Sequence, residues 1–294
     1  MKPAPFKYLA PGTLEETADH LDEHGYDAKL LAGGQSLVPM MNFRLVQPEV
    51  LIDLNNIPGL SYIRPDDEGG VRIGAMTRHY QVERNSVIAE HLPLMHETMP
   101  HIATVQIRSR GTFGGSIAHA DPSAELAAVS IALDGEFRLQ SKRGERWVKA
   151  NEFFVGMFTT VLEPDEILVE ARFPKIPERT GWAIHEVARR SHDFAIVGVT
   201  ASLTLDKKKN IQDARLVYLS VGEYPIRAVQ AEGVLRGHEP SDDIFAAAAD
   251  TAASRDTDPS SDIHATSDFR RHLINVLTLR ALHTALERAT NNGK

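Results

Sequence analysis

Two short stretches combine residue types at a spacing that could do chemistry: Lys29-Leu-Leu-Ala-Gly-Gly-Gln-Ser36 and Gly111-Thr-Phe-Gly-Gly-Ser-Ile-Ala-His-Ala-Asp-Pro-Ser-Ala-Glu-Leu126. Each sets a Gly-Gly pair beside a hydroxyl residue and an apolar segment, so no long side chain crowds the backbone. Glycine tolerates positive φ and leaves its N–H groups bare, an arrangement that suits an anionic ligand. In the second stretch Gly114 and Gly115 can take positive φ, Pro122 fixes φ where a helix would begin, and Ser123 is placed to cap it. Read singly, either Gly-Gly pair is also an ordinary tight turn after a strand. Read together, the two loops could grip a diphosphate from two sides.

Other candidates are weaker. His119 and Asp121 would share a face of an extended segment, as an acid–base pair or as partners of backbone and ligand hydroxyls. His91, His96 and His101 recur every five residues, which on a helix spreads them around the axis and does not gather them as metal ligands. Arg108, Arg110, Arg189 and Arg190 read as solvated or ion-paired, though any of them could face a diphosphate. There is no G-x-G-x-x-G after a strand, no G-x-x-x-x-G-K-[ST] and no H-E-x-x-H.

The chain that must position these stretches has 294 residues, 42% hydrophobic and 24% charged, enough for two or three domains of a globular protein. Its net charge of −8 argues against nucleic acid or an anionic membrane, which need clustered cations. Lys207-Lys-Lys209 is read as a solvated hairpin tip. Cysteine is absent, which excludes disulfides, thiolate metal sites and cysteine-ligated iron–sulfur clusters in this chain. The segment Met1-Lys-Pro-Ala-Pro-Phe-Lys-Tyr8 lacks a signal-peptide core, and no run of about 18 apolar residues occurs, so membrane insertion is not expected and a cytoplasmic location is.

Thr13-Leu-Glu-Glu16 is a capping box that opens a helix to about Glu23, closed by Gly25. Strands are expected at Ala28 to Ala32 and Val50 to Leu54, which makes residues 1–55 a small α+β unit. A second unit, 56–176, carries strands at Tyr62-Ile63 and Val71 to Ala75, helices at Thr77 to Arg84 and Leu94 to Ala103, a buried helix at Ala124 to Leu133, and a hairpin about Arg143-Gly144. Glu166 to Phe173 alternates with the period of a strand and stops at Pro174. From 177 onward the pattern becomes three long antiparallel strands, Trp182 to Ala188, Ala195 to Leu205 and Ile211 to Val221. Helices follow at Ile226 to Leu235 and Asp242 to Ala253, then a polar loop from Ser254 to Asp268. The final amphipathic helix is apolar at Phe269, Leu273, Val276, Leu279, Leu282 and Leu286.

The two glycine stretches, with Val50-Leu-Ile-Asp-Leu54, Asp165-Glu-Ile-Leu168 and Glu186-Val-Ala-Arg-Arg-Ser-His-Asp-Phe-Ala195, resemble the FAD-binding medium subunit of molybdenum hydroxylases, the xanthine dehydrogenase and carbon monoxide dehydrogenase family. The match runs in order over nearly the full length. It implies an α+β fold: a two-subdomain FAD-binding region of the vanillyl-alcohol-oxidase (PCMH) type over 1–176, then a C-terminal domain of antiparallel sheet and helices over 177–294. By motif position Lys29, Leu30, Leu31, Ala32, Gly33, Gly34, Gln35 and Ser36, with Thr112, Phe113, Gly114, Gly115 and Ser116, should hold FAD with backbone N–H groups on its diphosphate. Glu125 and Leu168 fall where the family contacts the cofactor, as do Ile102 and Glu186, and Asp121 lies near the expected ribityl chain and ring. Two positions depart from the pattern: Ser116 stands where the motif usually ends in Asn, and Glu186 where xanthine dehydrogenases often have Lys.

The resemblance further implies non-covalent FAD, because Gln35 stands where related folds attach flavin through a His. It places molybdopterin and [2Fe-2S] clusters on a large and a small partner subunit, in a heterotrimer or its dimer. The absence of cysteine fits that division. Two rivals remain, a self-sufficient flavin oxidase or reductase of a small molecule and a scaffold without cofactor. The first lacks an evident base in the C-terminal third, and the intact glycine motifs count against the second.

Overall fold

The computed structural model describes residues 1–291. At the N-terminus Thr13 Oγ1 accepts the Glu16 N–H at 3.1 Å and opens the Leu14–His24 helix, while the Glu16 carboxylate turns back to Gly12 N at 2.7 Å. Gly25, at φ 49°, ends that helix. The helix covers a parallel sheet in which Val50–Asp53 runs between Lys7–Leu9 and Ala28–Leu31. Leu21 of the helix is buried in one cluster with Ala28, Val50 and Ile52 of the sheet.

A five-stranded antiparallel sheet follows, in the order Ile63–Pro65, Val71–Gly74, Ile167–Phe173, Glu136–Ser141, Gly144–Lys149. The Glu125–Ala132 helix is buried along its length after Glu125. Because it is apolar all round, it packs both in the core of this sheet and against the Ala195–Leu205 and Ile211–Leu219 strands of the next. That next sheet is antiparallel, Thr180–Ala188, Ala195–Leu205, Ile211–Leu219 and Ile226–Arg227, with the Ser267–Asn291 helix lying on the first two strands.

Several sequence expectations shift. Ile226 does not begin a helix: Ile226-Arg227 pairs with Val217 and Tyr218, and the helix starts at Val229. The Leu94 to Ala103 helix divides into Pro93–Thr98 and a 3₁₀ turn at Met99–His101, since Pro100 cannot supply the N–H that a continuing helix needs. Ser123 is no cap; Ala124 holds that position without a side-chain bond, and Ser123 N donates to Asp121 Oδ1 at 2.9 Å. In the last helix the buried stripe is Leu273, Ile274, Leu277, Ala281, Leu282, Ala285 and Ala289, while Phe269 is 46% exposed. At Ala285 and Ala289 the stripe is small because the helix backbone there lies directly against Gly181.

Candidate functional site

The first glycine stretch leaves the sheet at Leu31 and turns at Gly34, whose φ of 74° is one that a side-chain-bearing residue adopts only at a cost. The turn leads into the Leu37–Asn42 helix, with Val38 N donating to Gly34 O at 3.1 Å. Among the described residues, the amides of Gly33, Gly34, Gln35 and Ser36 donate to no group of the chain. They stand at an open cleft of about 350 Å³ bounded by Leu31, Ala32, Val38, Pro39 and Arg110. Four unpaired donors and a nearby guanidinium are what an anion with several oxygens requires.

A polar network forms the floor of the cleft. Tyr8 Oη donates to Asp53 Oδ2 at 2.7 Å, and Asn55 Nδ2 donates to Asp53 Oδ1 at 2.5 Å and to Ala32 O at 2.9 Å. Arg78 Nη2 donates to Asn55 Oδ1 at 2.5 Å, and its Nη1 reaches Arg110 O. Partial burial raises the pKa of Asp53, but the bonds from Tyr8 and Asn55 outweigh it and hold the carboxyl below its ordinary value. Asn55, Arg78 and this role of Asp53 were not anticipated. A charged residue ending the apolar run Val50-Leu-Ile-Asp was the available signal.

The second glycine stretch abuts the first, though not as expected. A Cβ on Gly33 would strike Arg110 O and lie 2.9 Å from Gly111 Cα, and one on Gly115 would approach Ala32 Cβ at 3.4 Å. Thr112 caps the Phe113–His119 helix by accepting Gly115 N at 3.1 Å. Gly114 and Gly115 are therefore helical, and neither has positive φ. Their amides are committed: Phe113 N to Thr77 O and Gly114 N to Ala75 O, both at 2.8 Å, and Ser116 N to Thr112 O at 3.1 Å. The amides from Phe113 to Ser116 thus have no free proton for a diphosphate, and this stretch can offer the Ser116 hydroxyl instead. Gly114 is small because a Cβ there would sit 2.5 Å from Ala75 Cβ.

The remaining predicted residues divide. Phe113 and Leu168 lie in the core, Phe113 edge-on to Phe173 at 6.0 Å. Lys29 and Leu30 stay in their strand, paired with Leu51 and Ile52. Arg108 is buried, donating to Glu83 Oε2 and to the Ile102 carbonyl at 2.9 Å each, while Arg189 and Arg190 are exposed. His119 packs against Phe158 at 5.1 Å. Ile102, Asp121, Glu125 and Glu186 gather at a second location with His101, whose Nδ1 is 3.0 Å from Glu186 Oε1.

His79 ties these parts together and was not anticipated either. It is 5% exposed, its Nε2 is 2.9 Å from Thr112 O, and its Nδ1 faces Gly111 with no partner. Burial pushes its pKa down to about 4, with the charges of Arg108 and Arg78 acting the same way. Because the folded pKa lies below the unfolded one, the stabilisation is complete above about pH 6.5 and is lost as pH falls toward 4, where it levels off. The expected loss is about 3 kcal/mol across that window. Urea unfolding of the chain and of His79→Gln from pH 7.5 to pH 4 measures it; equal slopes for both would show that His79 carries no such linkage.

A parallel three-stranded unit with an open cleft at its Gly33-Gly34 turn and a five-stranded antiparallel unit, followed by a sheet-and-helix domain, define a two-domain α+β fold of the FAD-binding class. Residues 4–176 match the family model described as the FAD binding domain in molybdopterin dehydrogenase, and residues 182–285 match that of the CO dehydrogenase flavoprotein C-terminal domain. The chain belongs to this family of molybdopterin dehydrogenase flavoproteins. It is 40% identical to the 6-hydroxypseudooxynicotine dehydrogenase complex subunit alpha of Paenarthrobacter nicotinovorans, over 98% of this chain and 97% of that one. Carbon monoxide dehydrogenase from Hydrogenophaga pseudoflava superposes with a TM-score of 0.94 at 38% identity, covering 98% of this chain and 99% of that one. Quinoline 2-oxidoreductase from Pseudomonas putida 86 does so at 0.92 and 34%, over the whole of both chains.

Proposed function

We propose that this chain is the FAD-carrying medium subunit of a molybdenum hydroxylase. Electrons taken from substrate at a molybdopterin centre on a large subunit pass through [2Fe-2S] clusters on a small subunit to FAD held here, and from it to an external acceptor. The observation that carries the reading is the row of unpaired amides from Gly33 to Ser36 in a cleft that a Cβ at Gly34 would narrow. Those amides and Arg110 would take the diphosphate, and the Asp53–Asn55–Arg78 network would hold the cleft floor in place. The Ser116 hydroxyl would add a donor from the second stretch. Bound FAD supplies the exchange of electrons, while the chain supplies binding, orientation and electrostatics. We assign the FAD-binding region to 1–176 and the second domain to 177–294.

No helix among the described residues is long and apolar enough to cross a membrane, and we place the chain in the cytoplasm. Expressed alone it should bind FAD and oxidise no organic substrate. Expressed with a cysteine-rich small subunit and a molybdopterin subunit, it should enter a heterotrimer or its dimer in which substrate bleaches the flavin, across an interface of roughly 1,000 Å² or more. Size exclusion with metal analysis tests this. Rapid turnover of an organic substrate by the isolated FAD-loaded chain would show instead a self-sufficient oxidase.

The FAD is held non-covalently in this reading, since Gln35 has no imidazole to form a flavin bond and its Nε2 donates to Gly33 O at 3.2 Å. Acid precipitation should release all the yellow colour to the supernatant. Colour that stays with the pellet would contradict it.

A further inference from the structure

Two short helices connect the cleft to the cluster around His101. Val105–Arg110 runs from the Ile102-Ala103 turn to Arg110 at the cleft, and Phe113–His119 runs from Thr112 to the loop carrying Asp121, which leads into the helix that Glu125 opens. At six and seven residues each is about 10 Å long. That is comparable to the reach of a ribityl chain from a diphosphate to a flavin ring. The cluster therefore sits where the redox-active end of a cofactor anchored at Gly33 to Ser36 would come.

Its groups are arranged from solvent inward. His101 is the outermost, its side chain 36% exposed, and Glu186 is 10% exposed. Glu186 Oε1 meets His101 Nδ1 at 3.0 Å, while Oε2 is buried with no partner. A Glu serving only to hold His101 would have both oxygens bonded or one in water. Glu125 stands at the start of its buried helix, where its carboxyl meets its own backbone N–H. Burial first, then the charges of Glu186 and Asp121, push its pKa up to about 7 against the opposing effects of that N–H and of His101. The bond to Glu186, aided by Glu125 and Glu97, holds His101 above its ordinary value despite burial. Glu97 is itself tied to Trp182 Nε1 at 3.1 Å and to Arg288, and His185, with Arg280 near it, faces this side as well.

We propose that Glu125 is the proton donor to the reduced flavin ring and that Glu186 and His101 refill it from solvent. This rests on the flavin-subunit reading above. As two electrons arrive from the iron–sulfur partner, the Glu125 O–H bond breaks and its proton passes to a ring nitrogen. The carboxylate left behind takes a proton relayed by Glu186 from His101, which recovers one from water. The ring has then gained two electrons and one proton, and the three side chains return to their starting state.

The test is flash photoreduction of the FAD-loaded full chain, following ring protonation by absorbance and bulk proton uptake with a pH-indicator dye. In the parent chain ring protonation should precede bulk uptake. In Glu125→Gln it should slow by about a hundredfold and recover with added formate or acetate, which a merely structural role would not produce. In His101→Gln the first protonation should stay fast and only the bulk uptake lag further, which keeps the test available if Glu125→Gln fails to fold. Unchanged protonation kinetics in FAD-loaded Glu125→Gln, or simultaneous ring and bulk protonation in the parent, would overturn the inference while leaving the flavin-subunit reading intact. A chain that takes up no FAD would overturn both.

Discussion

Gly34→Val is expected to yield a folded chain with almost no FAD. At φ 74° a β-branched residue costs roughly 1–2 kcal/mol or more, and the added Cβ would lie 3.2 Å from Val38 Cγ2 and 3.3 Å from Leu31 Cδ1. Relief of that strain turns the Gly33 to Ser36 amides away from the cleft. Hydrogen bonds to a charged partner are each worth about 1.5–3 kcal/mol, so losing two weakens binding on the order of a hundredfold or more. The core of the C-terminal sheet is separate from this loop and should be unaffected. The flavin-to-protein ratio after desalting, set beside a circular dichroism melt, reads both effects. Near-stoichiometric FAD in the soluble variant would move the diphosphate away from this turn. Gly115→Val is a different experiment, because its Cβ would lie 2.6 Å from Thr112 Oγ1 and break the helix cap before any ligand is involved.

Gly181→Val should destabilise the C-terminal domain by more than about 3 kcal/mol, and much of the variant should be insoluble. Gly181 pairs with Leu203 in the sheet and lies directly under the last helix. A Cβ there would collide with Ala285 O and Ala289 N, which belong to the helix backbone and cannot rotate away. The helix would have to rise from the sheet, opening the contacts of Leu277, Ala281 and Ala285. The neighbouring link from Trp182 and Arg288 to Glu97 would loosen with it. Urea unfolding of whatever soluble protein forms measures the loss, and an unchanged midpoint would mean that the helix does not pack this closely.

Elements with strong local signals were legible in the chain. The Thr13 cap, the Gly25 stop, the Asp206 to Asn210 hairpin with Lys209 at φ 67°, and the apolar Glu125–Ala132 helix all form close to where expected. Each depends on residues within a few positions of one another. The final helix was legible as an element and in much of its buried face, since Leu273 and Leu282 are buried and Leu279 and Leu286 pack against the core. What was not legible is that Phe269 stays 46% exposed and that Ala285 and Ala289 bring the helix backbone against Gly181.

The Gly33-Gly34 turn was legible because a Gly-Gly pair after an apolar strand leaves the backbone unhindered and able to take positive φ. The second motif shows the limit of that reasoning. Gly114 and Gly115 are small to admit Ala75 and the Thr112 hydroxyl, and only the fold reveals that their amides already have acceptors. The same holds for His79 on Thr112, Arg78 on Asn55 and Arg110, and His101 on Glu186, where partners 23 to 85 residues apart meet. The sequence alone determined the glycine turn, the apolar helices, the absence of thiolate ligands and the family resemblance. Tertiary structure decided which amides stay free and which charges are buried together, because hydrogen-bond satisfaction and desolvation depend on what the rest of the chain brings alongside.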